Sequence, residues 1–496
     1  MLDFAGCYHL LYKTWIKPDF TFYFNFSSFN TLILIMKNPN FLNQLSGLLQ
    51  RIRPRPHKLT VPLFTVALGL SVTLYACQSS AQKEITLCFA VPDGEIEDWE
   101  HLTKKFNHDN EGKIKIELNQ KSTTEKLTPE QLKYNYSNSL KRSEKTKNTN
   151  CNGKDGHYDL VYTDIIWLPE FAHKKYLLPL DDYFKEEEQY FLNTEIEHGK
   201  YPPKNNSNQT SPKLYRIPFR TDVGVLYYNK RLLGIGKEKV PTTPENLIET
   251  VGTLNLEKHH YGYLWQANEE GLVAMFVEVL HAHGGFWVDN GKAGLGEPKA
   301  IKAVKFLKQT MADKISRSDF QDEQEAIKSF KESNAVFLRN WPAAWAEFQD
   351  IKDRVGIAPV PGGKGCHGGW GLAIAKNIGK KRQEAAIKAV KFLTSRESQL
   401  LFTLSHGSVP TREDLFFDPL IVSRYSHYPK LFNMVKLHKR VSRPRLARYE
   451  KVSKILQKSL QKAFDTKTKD DDVEGIMKKA SEDTEKCLKD EKKCTV

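Results

Sequence analysis

From residue 85 onward the chain switches repeatedly between two hydrophobic periods, and that alternation limits the folds open to it. Residues 85–91 form a near-continuous apolar run, the pattern of a buried strand. Residues 95–107 place Ile96, Trp99, Leu102 and Phe106 at helical spacing, and residues 113–118 alternate as a half-buried strand does. Strand, helix and strand in that order make a parallel pair joined by a crossover, so the expected class is α/β. Later segments agree. Residues 159–162 read as a strand leading to a helix that starts near Trp167-Leu168-Pro169-Glu170, and 223–228 as one strong strand. Residues 129–140, 271–281, 300–311 and 384–393 read as helices. The second of these stops at His283-Gly284-Gly285, a glycine C-cap. The polar segments 120–156 and 201–212 read largely as loops. No fixed-period repeat is visible.

Upstream, Arg51, Arg53, Arg55 and Lys58 precede an apolar run over 61–75 that stops at Leu74-Tyr75-Ala76-Cys77. A basic stretch, an apolar stretch and a small residue at the cut make a secretory signal peptide. A cysteine directly after the cut resembles the lipobox of bacterial lipoproteins, which implies acylation of the Cys77 thiol. The competing reading is a retained anchor, but the run is short of the roughly 20 apolar residues a stable span needs. Met36 opens a signal peptide of ordinary build, so residues 1–76 are read as a dubious extension plus signal peptide, with Met36 the true start. Residues 77–83 become a lipidated linker. The rest is expected to work outside the cytoplasm, in the periplasm or its equivalent, bound to membrane through its lipid.

The 420 residues after Ala76 are enough for two core-bearing lobes. The full chain carries +14, and residues 1–76 hold seven Lys/Arg and two Asp/Glu, leaving +9. These charges are interspersed with acids. A nucleic-acid surface would want a basic stripe, so no nucleic-acid partner is expected. Cys88, Cys151, Cys366, Cys487 and Cys494 remain in the mature chain, an odd number. Cys88 sits in a strand pattern and is expected as a small buried hydrophobe. Cys487 and Cys494 bracket a polar tail and are the expected disulfide pair in an oxidising compartment. A helical continuation would carry them beyond the disulfide Cα separation of about 4.4–6.8 Å, so pairing requires the tail to fold back. There is no GxSxG, HExxH or P-loop. Gly362-Gly363-Lys364-Gly365 reads as a flexible connection, His281 and His283 as helix-end residues and Asp181-Asp182 as a turn or helix start. No cofactor and no metal are expected.

Tryptophans stand beside polar residues at expected strand ends: Asp164 before Trp167, Asn340 before Trp341, Gly368-Gly369 before Trp370. Sugars offer C–H faces to aromatic rings and hydroxyls to carboxylates and guanidiniums. Several segments resemble the carbohydrate-binding lipoproteins of ABC importers, extracellular solute-binding family 1, and in particular its trehalose/maltose branch. They are Tyr158 through Phe171, Ile217 through Tyr228, Arg339-Asn340-Trp341-Pro342 through Trp345, and Gly368 through Gly371. The resemblance implies a two-lobed, class II, maltose-binding-protein-like fold with a hinge between lobes. It divides the chain into 84–218 and 361–408 for the first lobe, and 219–360 and 409–496 for the second. By family position, Glu95 and Asp164 accept from sugar hydroxyls, with Trp167 beside them. Arg220 and Asp222 lie near the hinge, Arg220 standing where relatives carry an aromatic. Trp341 stacks from the second lobe, Gly369 and Trp370 contribute from the first, and Arg443 and Tyr449 close the far side. The expected function is capture of a small glycoside (trehalose, maltose, sucrose or glucosylglycerol type) by a monomer that hands it to the transmembrane permease subunits. The alternatives are another oligosaccharide or polyol, or a secreted glycoside hydrolase.

Overall fold

In a computed structural model of the chain, the described residues run from 84 to 494. Residues 120–126, 143–150, 152–155, 205–210, 235–239, 258–259, 268, 313–314, 317–322 and 437–438 are not among them. The expectations for residues 1–83, Met36 and Cys77 included, lie outside the described residues. The chain from Lys83 to Val496 is one compact unit.

Strands Ile85–Phe89 and Ile114–Leu118 pair in parallel, Ile85 opposite Ile114 and Phe89 opposite Leu118. Helix Ile96–Asp109 crosses between them and buries Ile96, Trp99, Leu102 and Phe106. A five-stranded sheet is built around Gly365–Ile374. That strand pairs antiparallel with Ile217–Val223 and with Leu160–Asp164, and in parallel with Arg440–Val441. Val409–Pro410 extends the sheet beyond Ile217–Val223. A separate four-stranded sheet runs in the order Val355–Pro359, Val225–Asn229, Ala335–Asn340 and Tyr261–Leu264.

Each sheet has its own core. Leu87, Phe89, Trp99, Tyr162, Phe219 and Leu372 belong to one buried cluster. Leu226, Trp265, Phe276, Phe337 and Leu456 belong to a second. A third holds Tyr227, Leu338, Phe348 and Tyr428 against the four-stranded sheet. This is the two-lobed α/β architecture expected from the sequence.

The chain passes between sheets where one strand was expected over 223–228. Instead Ile217–Val223 ends in the five-stranded sheet and Val225–Asn229 begins in the other, with only Gly224 between. A Cβ at Gly224 would lie 1.8 Å from Glu278 Oε1, so only glycine fits. Glu278 and Arg339 form a buried pair there. Arg339 Nε donates to Glu278 Oε2 at 2.9 Å, and Glu278 Oε1 accepts from the Cys366 backbone N–H at 2.7 Å. Helix Glu269–Ala282 hides Glu278 within an apolar run, which is why its periodicity did not signal the junction.

Cys88 is not merely a buried hydrophobe. It is disulfide-bonded to Cys151, with Cα atoms 5.0 Å apart, a pairing over 63 residues that strand periodicity does not encode. Cys487 and Cys494 are bonded as well. Helix Asp470–Lys489 stops at Asp490, whose backbone is extended, and the tail turns back through Glu491–Lys493. Cys366 is free and buried. The glycines at 362 and 363 form an ordered turn, the Gly362 N–H donating to Thr242 O at 2.8 Å.

Candidate functional site

Strand pairing assembles most of the expected residues. In the five-stranded sheet Trp370 stands opposite both Asp164 and Arg220, and Gly368 opposite Asp222. Gly369 sits between them at φ +141°, where a Cβ would press on Arg220 O at 2.8 Å. Its carbonyl accepts from the Ile165 N–H at 3.0 Å.

Arg220 is the hub of this face. Its Nε donates to the Tyr162 hydroxyl at 2.9 Å, one terminal nitrogen to Asp222 Oδ2 at 2.9 Å and the other to Glu95 Oε1 at 2.8 Å. Its guanidinium carbon lies 5.5 Å from the Trp370 ring centroid. Glu95 Oε2 also accepts from Trp99 Nε1 at 3.3 Å. Glu95 is therefore already engaged. Burial works to raise its pKa, but the charges of Arg220 and His406 and the hydrogen bonds from Tyr162 and Trp99 together override burial and hold the carboxyl below its usual range. Asp222 responds the other way. Burial, reinforced by the charges of Glu323, Asp164 and Glu95, pushes it up to about 7 against the pull of Arg220. Asp222 Oδ1 is buried with no hydrogen-bond partner among the described residues.

The rings divide into two kinds. Trp370 and Trp167 are buried in the first core, centroids 4.9 Å apart edge to face, with Tyr162 at 4.8 Å from Trp370. Trp341 is half-buried and follows the Ala335–Asn340 strand of the other sheet. Its Nε1 donates to Glu323 Oε1 at 2.6 Å, and the Arg339 guanidinium carbon stands 4.2 Å from its ring centroid. A Cβ on Gly368 would come within 3.3 Å of its edge, so glycine lets strand and ring approach.

A third group closes the arrangement. Arg443 donates to Glu270 Oε2 at 3.1 Å and lies 4.0 Å from Asp164 Oδ1. The Tyr449 hydroxyl donates to Glu270 Oε2 at 2.7 Å. Asp164 Oδ1 accepts from the Ile166 N–H at 3.1 Å, and burial raises this carboxyl despite Arg443. Arg443 thus ties the end of a first-sheet strand to the helix that carries Glu270.

All ten expected ligand residues fall into these three adjoining groups. Sequence reasoning missed Tyr162, Glu270 and Glu323. The two glutamates sit in first helical turns, where acids are common for the helix dipole alone. Among the described residues no cluster of three His, Cys, Asp or Glu is placed to hold a metal ion. Among the same residues no helix is long and apolar enough to cross a membrane.

Residues 115–400 match the family of bacterial extracellular solute-binding proteins. The chain belongs to that family. A probable ABC transporter-binding protein of Deinococcus radiodurans is 27% identical over 253 residues. That match covers 47% of this chain and 60% of the relative, so the chain spans less than two thirds of that relative's length. The maltose-bound MalE3 structure of T. maritima is 28% identical, covers 80% of this chain and 98% of its own, and superposes with a TM-score of 0.65. A Thermotoga lettingae ABC transporter solute-binding protein, bound to α-D-tagatose, is 21% identical. It covers 82% of this chain and 100% of its own at a TM-score of 0.66. The fold of this solute-binding protein is therefore maltose-binding-like.

Proposed function

We propose that this solute-binding protein captures a small glycoside of the trehalose, maltose, sucrose or glucosylglycerol type and delivers it to the transmembrane subunits of an ABC importer. In this reading it acts as a monomer outside the cytoplasm, tethered by lipid on Cys77, and needs no cofactor. In this reading the lobes divide at Gly224, where the chain changes sheets, near 360/361 and beyond Pro410, in place of the expected cuts at 218/219 and 408/409, because Ile217–Val223 and Val409–Pro410 belong to the five-stranded sheet. Glu95, Asp164, Trp167, Arg220, Asp222, Trp341, Gly369, Trp370, Arg443 and Tyr449 form the ligand site.

The observation that carries the reading is the Arg443 bridge. Asp164 on one sheet and Glu270, which also accepts from Tyr449, on the other side converge on one guanidinium, and the half-buried Trp341 ring stands beside Glu323 and Gly368, the glycine opposite Asp222. Ring plus charged acceptors and donors suits a sugar. A ligand touching both lobes gains contacts in the closed state that the open state lacks, and so favours closure. Similar structures hold maltose and α-D-tagatose. A thermal-shift screen of the purified protein against a sugar panel tests the reading. A raised melting temperature with one of the named glycosides is expected, and no shift with any sugar or polyol overturns it.

One observation favours testing the hydrolase alternative alongside. Asp222 and Glu95 are pushed in opposite directions, as in acid–base carboxylate pairs. Both are bonded to the same Arg220 guanidinium, which leaves little room for a glycosidic bond between them. Incubation with trehalose, sucrose and maltose should release no glucose, whereas catalytic release would make the protein an enzyme.

A further inference from the structure

Helix Pro129–Lys141 and helix Tyr449–Phe464 belong to different cores. The first buries Leu132, Tyr136 and Leu140 in the cluster around Trp99. The second buries Val452, Ile455, Leu456 and Leu460 in the cluster around Trp265. A side chain that joins these helices therefore joins the two proposed lobes, and Lys133 does so. Its ammonium lies 2.9 Å from Glu170 Oε2 and 2.5 Å from Glu450 Oε2, the latter 317 residues away in sequence. Burial opposes the charge on both Lys133 and Glu450. Glu170 and Glu450 nevertheless hold Lys133 above its usual range, and Lys133 with Lys454 pulls Glu450 down to about 2.

Two features suit this pair to breaking and re-forming. Each partner has a substitute on its own side: Lys133 keeps Glu170, and Glu450 keeps Lys454 Nζ at 2.8 Å. Separating the helices then breaks one ion pair and leaves neither charge alone, whereas a buried charge stripped of its only partner would cost far more. Both ends are also continuous with the candidate ligand site. Glu450 follows Tyr449, whose hydroxyl donates to Glu270. Glu170 stands in the short helix Leu168–His173 that follows Asp164 and Trp167. The rim carries an opposing contact as well. Glu130, one turn before Lys133, is close enough to Glu269 for its charge to add to burial in raising that carboxyl. Glu269 opens helix Glu269–Ala282 of the second core, so these two acids resist approach where Lys133 and Glu450 favour it.

We propose that the Lys133–Glu450 pair is a reversible latch across the cleft rim, which biases the ligand-free protein toward the closed arrangement without touching ligand. The proposal rests on the lobe closure in the proposed function and on no particular ligand. A latch of this kind supplies part of the free energy of closing, so it raises the affinity for every ligand by the same factor. Glu450 is 45% exposed, which keeps the contribution small and open to screening by salt.

Electron–electron double resonance on the ligand-free chain tests this, with spin labels at Lys141→Cys and Lys458→Cys, exposed positions on the two bridged helices. A short and a long label separation should both be populated. Glu450→Gln should lower the ratio of short to long by roughly two- to fivefold, the worth of an ion pair with one exposed partner. Lys133→Met should do the same. High salt should lower the ratio in the parent and no longer do so in either variant. Glu130→Gln makes the same change in net charge as Glu450→Gln, yet should leave the ratio unchanged or raise it. Melting curves confirm that each variant folds. A ratio that neither substitution nor salt lowers overturns the latch, and sugar binding that persists in that case leaves the proposed function intact. Equal opening in Glu130→Gln overturns it as well, because net charge would then be the cause. The expected ratios with every sugar silent would instead keep the latch and defeat the sugar reading.

Discussion

The two faces of the candidate site are built differently. The face on the five-stranded sheet is closed on itself: Arg220 bonds to Glu95, Asp222 and Tyr162 at once, and Trp370 is packed between Tyr162 and Trp167. The opposite face is looser. Trp341 is half-buried and held at one edge by Glu323, and Glu270 joins Arg443 to Tyr449. The first face is a preorganised wall that costs little to hold in shape when ligand arrives. The second face offers the ring that ligand can still reach. Side chains of one chemical type therefore have different jobs, and substitutions should separate them.

The largest effect is expected on the closed face. Trp370→Ala removes a ring that is 7% exposed and packed in the first core, so stability should fall by about 3–5 kcal/mol. Denaturant unfolding measures it. A loss below about 1 kcal/mol would mean that Trp370 is a free ligand ring like Trp341.

Asp222 gives the next effect, on pH. Below about pH 4 its carboxyl is protonated in both folded and unfolded chains. Between there and pH 7 the unfolded chain releases the proton while the folded one, with its pKa pushed up to about 7, retains it. Stability should therefore fall as pH rises through that window. Asp222→Asn should remove a contribution on the order of 2–4 kcal/mol. Melting both proteins from pH 4 to 8 checks this, and parallel curves would contradict it.

On the open face, Trp341→Ala should weaken ligand binding by roughly 30-fold, about 2 kcal/mol, while changing stability little. Tight binding in that variant would erase the distinction between the faces. The smallest effect lies at the rim. Lys133 bridges Glu170 at 2.9 Å and Glu450 at 2.5 Å, joining helix Pro129–Lys141 to helix Tyr449–Phe464. Glu450 is substantially exposed, so Glu450→Gln should cost no more than about 1 kcal/mol, and less in high salt.

Local pattern made parts of this molecule readable in advance. The β-α-β opening followed from Ile96, Trp99, Leu102 and Phe106, whose spacing reports burial directly. The tail disulfide was legible in Cys487 and Cys494 bracketing a short polar segment, on the condition that the tail fold back. What escaped depends on pairing across long stretches. Cys88 meets Cys151 over 63 residues, and Arg220 meets Glu95 over 125. Periodicity carries no information on either. Gly224 escaped for another reason: flanked by valines, it sits in an unbroken apolar run, and only the bulk of Glu278 beside it shows that the strand must change sheets. Trp167, Trp341 and Trp370 looked equivalent because sequence gives residue type without exposure. Two of them are core and one is half-buried.

The central claim is that a small glycoside binds between these two faces. Calorimetric titration of trehalose, maltose and sucrose into the wild-type protein and into Asp164→Ala and Trp341→Ala, with melting curves on each, tests it most directly. At least one of these sugars should bind the wild type, and both variants should stay folded yet bind it about 30-fold more weakly. Unchanged affinity in both folded variants would contradict the site, and heat-silent titrations of the wild type with every sugar would contradict the claim itself.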